Sequence, residues 1–240
     1  MQLTWKRLPA RIRDLYGAIV VCDKGEEKAL ARQDIRCVGV KAKNAGVKRQ
    51  WILDNADDPL ILMLDDDLTS WAEVIDGKLV NCVDHAFTPH FVKFEKLLLK
   101  HAQGSFGARL FAQHRPPIEY NRGRHLRALG FNKALMPDGA KFRMGVMEDL
   151  DMQLQLIRAG CEGFTYNGLV QQQMANNSAG GCSRYRTPEY QRKCAEQMAK
   201  LHPGYVSVVV RKYRKSYFEG TNEQYNVTVQ WNKAHKEAHQ

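Results

Sequence analysis

A continuous apolar run at residues 60–64 leads directly into three consecutive aspartates, Asp65, Asp66 and Asp67. An uninterrupted aliphatic run is typical of a strand that is buried on both faces of a parallel sheet. In open α/β sheets, ligands bind where the strands end at their carboxyl edge. We therefore expect the chain to fold around such a sheet, with the three carboxylates at its binding edge.

Strand-like and helix-like segments alternate along the chain. Residues 18–22 and 35–40 are strand candidates, the charged stretch 26–33 between them suits a helix, and residues 47–56 predict a helix that Pro59 ends. This alternation predicts an α/β fold. The other expected elements are a helix between Pro89 and Gly104, loops and short strands over 113–142, helices over 147–159 and 188–201, and a strand over 205–210.

Composition limits the class of protein. The chain has 240 residues, of which 44% are hydrophobic, so it can bury one sizeable core and is not disordered, collagen-like or coiled coil. We expect a catalytic domain over residues 1–204, with a basic aromatic segment over 205–240 packed on it. The six cysteines form no C-x-x-C pair, and no apolar stretch is long enough for a signal core or a membrane span. The sequence therefore predicts a cytoplasmic protein with no membrane contact.

The chain is basic. Lys and Arg number 36 against 26 Asp and Glu, which gives a formal charge of +10 at pH 7. A positive excess of this size suits a polyanionic partner such as nucleic acid. Basic surfaces also serve solubility, so the charge supports other signs of DNA binding without establishing it.

Two groups of carboxylates are candidates for chemistry. Neighbouring aspartates repel one another, and a Mg²⁺ or Mn²⁺ ion bound by Asp65 and Asp67 relieves this repulsion. Such an ion can bridge the phosphates of a nucleotide and stabilise a departing diphosphate. The second group, Glu148, Asp149 and Asp151, opens an amphipathic helix, where an ionised carboxylate can act as a general base. Acidic residues also cap helices, so each group gains weight from the other.

Two short segments combine glycine with cations. Residues 46–50 form a turn that enters a helix and include Lys48 and Arg49. Residues 180–186 place a glycine pair before two arginines, the four residues being Gly180, Gly181, Arg184 and Arg186. Backbone amides and cations of this kind bind phosphate oxygens, although each segment alone is as typical of a solvated turn.

Two enzyme classes fit a strand that ends in D-x-D with an acidic helix downstream. One is a nucleotide-sugar glycosyltransferase of the GT-A type. The other is a Mg²⁺-dependent phosphatase of the haloacid-dehalogenase type, because Asp65, Asp67 and Thr69 match the nucleophile motif of that family. Its motif belongs on the first strand of the domain, whereas two strand candidates precede it here, which favours the glycosyltransferase. A non-catalytic DNA-binding protein is a third hypothesis, which the acidic triplet disfavours.

Six segments, taken in order, carry a resemblance to a known family. They are QLTWKRLP from Gln2, GVKRQWILDNA from Gly46, ILMLDDDL from Ile61, MEDLDMQLQLIRAG from Met147, GGCSRYRTPE from Gly180 and VTVQWNKA from Val227. With these segments, most of the chain resembles the TET-associated glycosyltransferases. Members of this family are encoded largely by tailed phages and are thought to glycosylate hydroxymethylated pyrimidines in DNA.

The resemblance implies a GT-A-like fold with a mainly parallel central sheet flanked by helices. It also implies that a nucleoside-diphosphate sugar is the donor, and that 5-hydroxymethylcytosine or 5-hydroxymethyluracil in phage DNA is the acceptor. Asp65 and Asp67 are then expected to bind the divalent metal (Mn²⁺ or Mg²⁺), and Asp65 and Asp66 to contact the donor. The other expected donor-binding residues are Lys48, Arg49, Gly180, Gly181, Arg184 and Arg186.

The stereochemistry of transfer decides whether a catalytic base is needed. If the anomeric centre is inverted, Asp149 is the first choice for the base that deprotonates the acceptor hydroxyl, with Glu148 and Asp151 as second choices. A retaining transfer needs no such base. The sequence leaves both outcomes open.

Two departures from the family pattern concern the site. A strand and a P-T-Y-G-R-like turn usually precede the Q-L-T-W segment, so the sheet is expected to lack the first strand of the family. Many GT-A enzymes also supply a late histidine to the metal, whereas this chain has Gln171, Gln172 and Gln173 in the corresponding stretch. The third protein ligand of the metal therefore stays open.

Overall fold

The structure, a computed structural model, describes residues 3–110, 112–120, 125–174, 185–213, 218 and 220–240. Its α-helices are α1 (Leu3–Arg7), α2 (Ala10–Leu15), α3 (Glu27–Ala31), α4 (Ala45–Asn55), α5 (Asp84–Leu98), α6 (Glu148–Arg158), α7 (Pro188–Leu201) and α8 (Trp231–Ala238). Its strands are β1 (Val20–Asp23), β2 (Cys37–Val40), β3 (Leu60–Leu64), β4 (Leu68–Ile75), β5 (Lys78–Asn81), β6 (Gln103–Ala108), β7 (Ile118–Tyr120), β8 (Ala128–Asn132), β9 (Gly163–Gln173), β10 (Val206–Lys212) and β11 (Glu223–Val229).

The central sheet is mixed. It has seven strands in the order β3-β8-β6-β9-β4-β5, with β7 paired to β9 beside this path. Strands β6 and β9 run parallel, and the other pairs in this sheet are antiparallel. The α/β class is confirmed, but the expectation of a mainly parallel sheet is wrong. The GT-A arrangement stays a prediction.

Strand β3 shows why the parallel expectation fails. Ile61 and Met63 are buried, whereas Leu60, Leu62 and Leu64 are only partly covered. This alternation is typical of a strand whose two faces differ in burial. The strand lies at the edge of the sheet and pairs antiparallel with β8 along its whole length. The aspartates nevertheless follow β3 at its carboxyl end, as expected.

Strands β1 and β2 form a separate parallel pair, and α3 connects them. Asp23 is the last residue of β1 and is in register with Val40, the last residue of β2. The Lys24 N–H donates to the Val40 carbonyl oxygen at 3.0 Å and extends this pairing. The carboxyl end of this pair is a second strand edge that can contribute to a site.

An aromatic core lies between α5 and the central sheet. Phe91 and Phe94 of the helix pack against Phe106 and Phe164 of the strands. The rings of Phe94 and Phe106 stack with their centroids 4.3 Å apart. Helix α5 begins at Asp84 and continues through Pro89, which the sequence had placed before the helix. This core fixes the sheet that ends in the aspartates.

A second core joins α6, α7, α8, β10 and β11. Its buried members include Leu154 of α6, Met198 of α7, Val206 of β10 and Ala234 of α8. Helices α6 and α7 match the predicted helices over 147–159 and 188–201 closely. Segments before and after residue 204 therefore share one core, and the domain boundary at that residue stays a prediction. Among the described residues, no helix is both long and apolar enough to cross a bilayer.

Candidate active site

The three aspartates lie in the turn between β3 and β4, and α1 fixes the shape of this turn. The hydroxyl of the buried Thr4 donates to the Asp65 carbonyl oxygen, and the Leu68 N–H donates to that hydroxyl at 3.0 Å. The Thr4 N–H also donates to the Asp66 carbonyl oxygen at 3.2 Å. Because one buried residue bonds both sides of the turn, the backbone that carries the three carboxylates is held in place by the protein itself.

Arg49 of α4 joins the two acidic groups that the sequence predicted. Its Nη2 lies 2.6 Å from Asp65 Oδ1, and its Nη1 lies 2.8 Å from Glu148 Oε1. The side chains of Arg49 and Glu148 are only 12% and 11% exposed. Burial opposes the charge on Arg49, but the two carboxylates outweigh this effect and raise its pKa. The Arg49 guanidinium therefore links the turn after β3 to the start of α6 by two ion pairs.

A glycine allows α4 to lie against the segment that leads into α6. A Cβ atom added at Gly46 would be 1.8 Å from the Met144 carbonyl oxygen, a distance that no side chain can accept. Glycine at this position therefore brings the helix that carries Lys48 and Arg49 against the helix that begins at Glu148.

The first turn of α4 is already hydrogen-bonded. The Asn44 side chain accepts the Val47 N–H at 3.0 Å, and the Tyr185 hydroxyl accepts the Ala45 N–H at the same distance. These amides are therefore engaged by the protein itself. A contribution of α4 to donor binding would come from its cationic side chains.

Lys48 extends from α4 to the carboxyl end of β1. Its Nζ lies 2.6 Å from Asp23 Oδ1, and both side chains are partly exposed. A pair of this kind contributes little to stability, so either partner can exchange for another charged group at low cost. Lys48 is thus a partly exposed cation at the carboxyl end of β1 that can also pair with an anionic ligand.

Asp67 is the best candidate for a metal ligand. Its Oδ1 is buried and has no hydrogen-bond partner in the part of the chain that the structure describes. Burial and the charges of Asp65 and Asp66 raise the pKa of Asp67 to about 6, against the opposing effects of a backbone hydrogen bond and Arg127. A carboxylate oxygen without a partner suits a hard divalent cation, but among the described residues the aspartates do not bring three ligand atoms within 4.8 Å of one another.

Gln171, Gln172 and Gln173 stand in the stretch where many GT-A enzymes have a metal-binding histidine. They lie on β9, and the end of this strand adjoins the aspartates. The Met174 N–H donates to the Asp67 carbonyl oxygen at 3.2 Å, and Gln173 is in register with Leu68. Gln173 Oε1 is also buried without a partner among the described residues, as are both side-chain polar atoms of Gln171. The strand therefore offers amide oxygens beside the turn, and the third ligand stays open.

Glu148 and Asp149 lie at the first turn of α6. Burial raises the pKa of Glu148 to about 7; Arg49 opposes this shift, and the charges of Asp149 and Asp65 add to it. Asp149 is less buried, and its Oδ1 accepts the Leu150 N–H at 2.9 Å. Its carboxylate is therefore better placed to meet a substrate than that of Glu148.

Asp151 lies apart from this site, in a closed network. Arg143 Nε donates to its Oδ2 at 3.1 Å, His202 Nε2 donates to Oδ1 at 2.8 Å, and Gln155 Nε2 donates to Oδ2 at 3.0 Å. The carboxylate is fully buried; burial opposes its ionisation, but the hydrogen bonds from His202 and Arg143 outweigh burial and lower its pKa. The geometry favours a structural role for Asp151.

The remaining predicted residues are less informative. Asp66 is exposed. Arg186 Nε donates to Gln191 Oε1 of α7 at 2.8 Å. Gly180, Gly181 and Arg184 lie outside the described residues, so their roles stay predictions.

Three residues at the site were missed by sequence reasoning. Asp23 follows a strand just as the triplet does, and this shared pattern could have identified it. Thr4 lies within the QLTWKRLP segment, which the resemblance noted without giving the residue a role. Arg127, whose carbonyl oxygen accepts the Asp65 N–H at 2.8 Å, lies in a stretch without periodicity and gave no signal.

A family model described as TET-Associated Glycosyltransferase matches residues 1–181 of the chain. This range covers 181 of the 240 residues and contains Thr4, α4, the aspartate turn and α6. No curated protein and no solved structure matches the chain. Between the two enzyme classes, the family match supports the transferase over the phosphatase.

Proposed function

Since the chain belongs to the TET-associated glycosyltransferase family, we propose that it transfers a sugar from a nucleoside diphosphate to the hydroxymethyl group of 5-hydroxymethylcytosine or 5-hydroxymethyluracil in DNA. The glycosyltransferase role follows from the family. One observation supports the finer proposal: Arg49 joins Asp65 and Glu148 at the carboxyl end of β3, beside the unpartnered oxygen of Asp67. This edge combines carboxylates for a metal, cations for a diphosphate and a base for an acceptor.

Asp67 and Asp65 would hold a Mg²⁺ or Mn²⁺ ion. Such an ion neutralises the negative charge that develops on the departing diphosphate. Asp67 offers its unpartnered oxygen, and Arg49 orients Asp65 through the 2.6 Å contact. Lys48 exchanges Asp23 for a phosphate oxygen when the donor arrives, which keeps its charge paired throughout.

Asp149 is the base in an inverting transfer. Glu148 is held by Arg49, and Asp151 is fully buried in its own network, so neither can reach the acceptor as readily. Asp149 takes the proton of the acceptor hydroxymethyl group. The freed oxygen then bonds to the anomeric carbon, while the bond from that carbon to the diphosphate oxygen breaks.

DNA as the acceptor agrees with the charge of the chain. A net charge of +10 favours contact with the phosphate backbone, which supplies most sequence-independent affinity. A substituent at position 5 of a pyrimidine projects into the major groove, where a protein surface can reach it. The family name, TET-Associated Glycosyltransferase, suggests modified DNA as the acceptor.

The deciding experiment measures the transfer of radiolabel from a panel of nucleotide sugars to DNA. The DNA contains 5-hydroxymethylcytosine, 5-hydroxymethyluracil or unmodified bases, and each reaction is run with Mn²⁺ and with a chelator. We expect label only in hydroxymethylated DNA and only with metal. Asp67→Asn should lose transfer, whereas Asp57→Asn should keep it, because Asp57 is exposed in the loop between α4 and β3.

Two results would contradict parts of the proposal. Transfer that survives the chelator and the Asp67→Asn change would remove the metal and the role of Asp67. Transfer to small hydroxyl acceptors, with none to any DNA, would keep the glycosyltransferase and remove the DNA acceptor. Circular dichroism of each variant confirms that the protein compared is folded.

A further inference from the structure

Three metal-ligating side chains meet on the second core, away from the aspartates. Glu162 follows α6, and His235 and His239 lie four residues apart at the end of α8. Their ligating atoms all lie within 4.8 Å of one another. Side chains four residues apart share one face of a helix, and the two imidazole rings stack with centroids 4.3 Å apart.

Helix packing holds this cluster together. Helices α6 and α8 are in contact, and Ala234 of α8 is buried in the same core as Ile157 of α6. Gly160, at φ +78°, ends α6 with a left-handed turn, and a Cβ added there would be 3.7 Å from the Ala238 carbonyl oxygen. This turn sets Glu162 beside the last turn of α8.

The hydrogen bonds that the two histidines make leave one nitrogen of each imidazole ring available to bind a metal. His239 Nδ1 lies 2.8 Å from the His235 carbonyl oxygen, which can only accept, so Nδ1 carries the proton. Nε2 of a neutral His239 is then an unprotonated ligand atom, and a backbone carbonyl on the other nitrogen is the usual support for a metal-bound histidine. Nε2 of His235 is buried with no partner among the described residues.

We propose that Glu162, His235 and His239 bind a transition-metal ion of the Zn²⁺ class. Imidazole nitrogens suit Zn²⁺, Cu²⁺ and Ni²⁺, whereas Mg²⁺ and Ca²⁺ prefer oxygen ligands. Bonds of about 2.0–2.2 Å would draw the three ligand atoms closer together. Glu162 and His239 are exposed, so their side chains can rotate to do this, and water completes the coordination.

The bound ion would fasten the C-terminal helix to the end of α6. Helix α8 has eight residues and packs through Ala234 and Trp231, so an ion that also bonds Glu162 would add to this contact. A ligand that binds the folded state and not the unfolded one stabilises the fold by mass action. Zinc should therefore raise the melting temperature of the protein, an effect separate from any role of the aspartates in transfer.

The test titrates Zn²⁺ into the untagged full chain by calorimetry and repeats the titration with four variants. His239→Ala and Glu162→Gln each remove one ligand, and we expect zinc affinity to fall at least about 10–100-fold, the cost of losing even an outer partner of a metal site. His85→Ala removes an exposed histidine of α5 and should bind zinc as the wild type does. Asp67→Asn should also retain this binding event, which separates it from metal held by the aspartates.

Melting temperatures give a second readout. Zinc should raise the melting temperature of the wild type and of His85→Ala, and should leave that of His239→Ala unchanged. His239 is exposed and lies after the last residue of α8, so its replacement does not disturb the core. The proposal would be overturned if the wild-type protein bound no zinc. It would also be overturned if His239→Ala and Glu162→Gln both bound zinc as tightly as the wild type.

Discussion

Helix α6 carries two acidic groups whose surroundings differ completely. At its first turn, Glu148 contacts Arg49 and lies beside Asp149. Three residues further on, Asp151 is enclosed by hydrogen bonds from Arg143 and His202. The pKa shifts have opposite signs: burial raises the pKa of Glu148 to about 7, whereas the hydrogen bonds outweigh burial and lower that of Asp151.

Carboxylates whose two oxygens are both hydrogen-bonded differ in ligand access from carboxylates with an oxygen left unbonded. Both oxygens of Asp151 accept hydrogen bonds, so any ligand there would have to break them. Asp67 Oδ1 accepts none from the described residues, and Glu148 shares its arginine with Asp65. A fully bonded buried charge supports the fold, whereas an unsatisfied one has a free position for a ligand.

The largest expected effect tests the carboxylates at the first turn of α6. Asp149→Asn should lower the rate of an inverting transfer about 10²–10⁴-fold, because the amide cannot take the acceptor proton. The free energy of unfolding should change by less than about 0.5 kcal/mol, as for a partly exposed position. Initial rates and urea denaturation measure the two quantities. A variant with wild-type rates would exclude Asp149 as the base, and the anomeric configuration of the product would then distinguish a retaining transfer from an inverting one with another base.

The next effect tests the fully bonded group. Asp151→Ala should lower the free energy of unfolding by about 3–5 kcal/mol, because Arg143 and His202 are left without their partner in a buried site. Urea denaturation measures the loss, with Asp138→Ala as a control at an exposed carboxylate. An Asp151→Ala protein as stable as the wild type would show that the network contributes nothing to the fold.

Stability measured as a function of pH separates the contributions of Glu148 and Asp151. A carboxyl whose pKa is raised on folding stabilises the protein fully below its unfolded pKa, and this stability is lost as pH rises through the folded pKa. For Glu148 this loss of stability falls in the pH window from 4.5, the ordinary pKa of a glutamate, to about 7, its pKa in the folded protein. Over it, the wild type should lose about 2–3 kcal/mol more unfolding free energy than Glu148→Gln. Urea denaturation across the window measures this difference.

Asp151 supplies the control of opposite sign. Its lowered pKa means that its contribution is present above the unfolded pKa and is lost as pH falls through the folded pKa. Asp151→Asn should therefore flatten the acid side of the stability profile and leave the window of Glu148 unchanged. Parallel profiles for Glu148→Gln and the wild type between 4.5 and 7 would contradict the assignment.

The smallest expected effect concerns Lys48, which pairs with Asp23 at the carboxyl end of β1. Lys48→Met should raise the KM for the donor about tenfold, the value of one charge-assisted contact. The free energy of unfolding should fall by less than about 1 kcal/mol, because the pair with Asp23 is partly exposed. Steady-state kinetics at varied donor concentration measure the KM. Lys141→Met, which changes an exposed lysine, should alter neither quantity.

Local sequence patterns predicted α3, α4, α6 and α7 well, placed the start of α5 too late, missed α1, α2 and α8, and predicted the sheet poorly. Helices α6 and α7 have strong helical periodicity and clear ends, and they were predicted within a residue or two. Strand β8 is entirely buried, but its five residues include a glycine and an asparagine and lie in a stretch read as loops. Pairing direction depends on contacts far apart in sequence, so the antiparallel partner of β3 could not be foreseen.

The site was predictable where a run of neighbouring residues carried the chemistry. The aspartate triplet, Lys48 with Arg49, and the start of α6 all stood out in the sequence. The hydroxyl of Thr4, which bonds a turn 61 residues away, did not. Nor could the sequence separate Asp151 from Asp149, because the residues that enclose Asp151 include His202, 51 positions away.

The close contact at Gly46 has a consequence for how substrates are positioned. In the proposed reaction, the cations of α4 meet the donor and the carboxylates at the first turn of α6 meet the acceptor. Because the backbone of Gly46 lies directly against the Met144 carbonyl oxygen, no side chain fits between the two segments at this point. For the proposed transfer, this contact fixes the separation of α4 and α6, and with it the distance across which the sugar and the acceptor hydroxyl would meet.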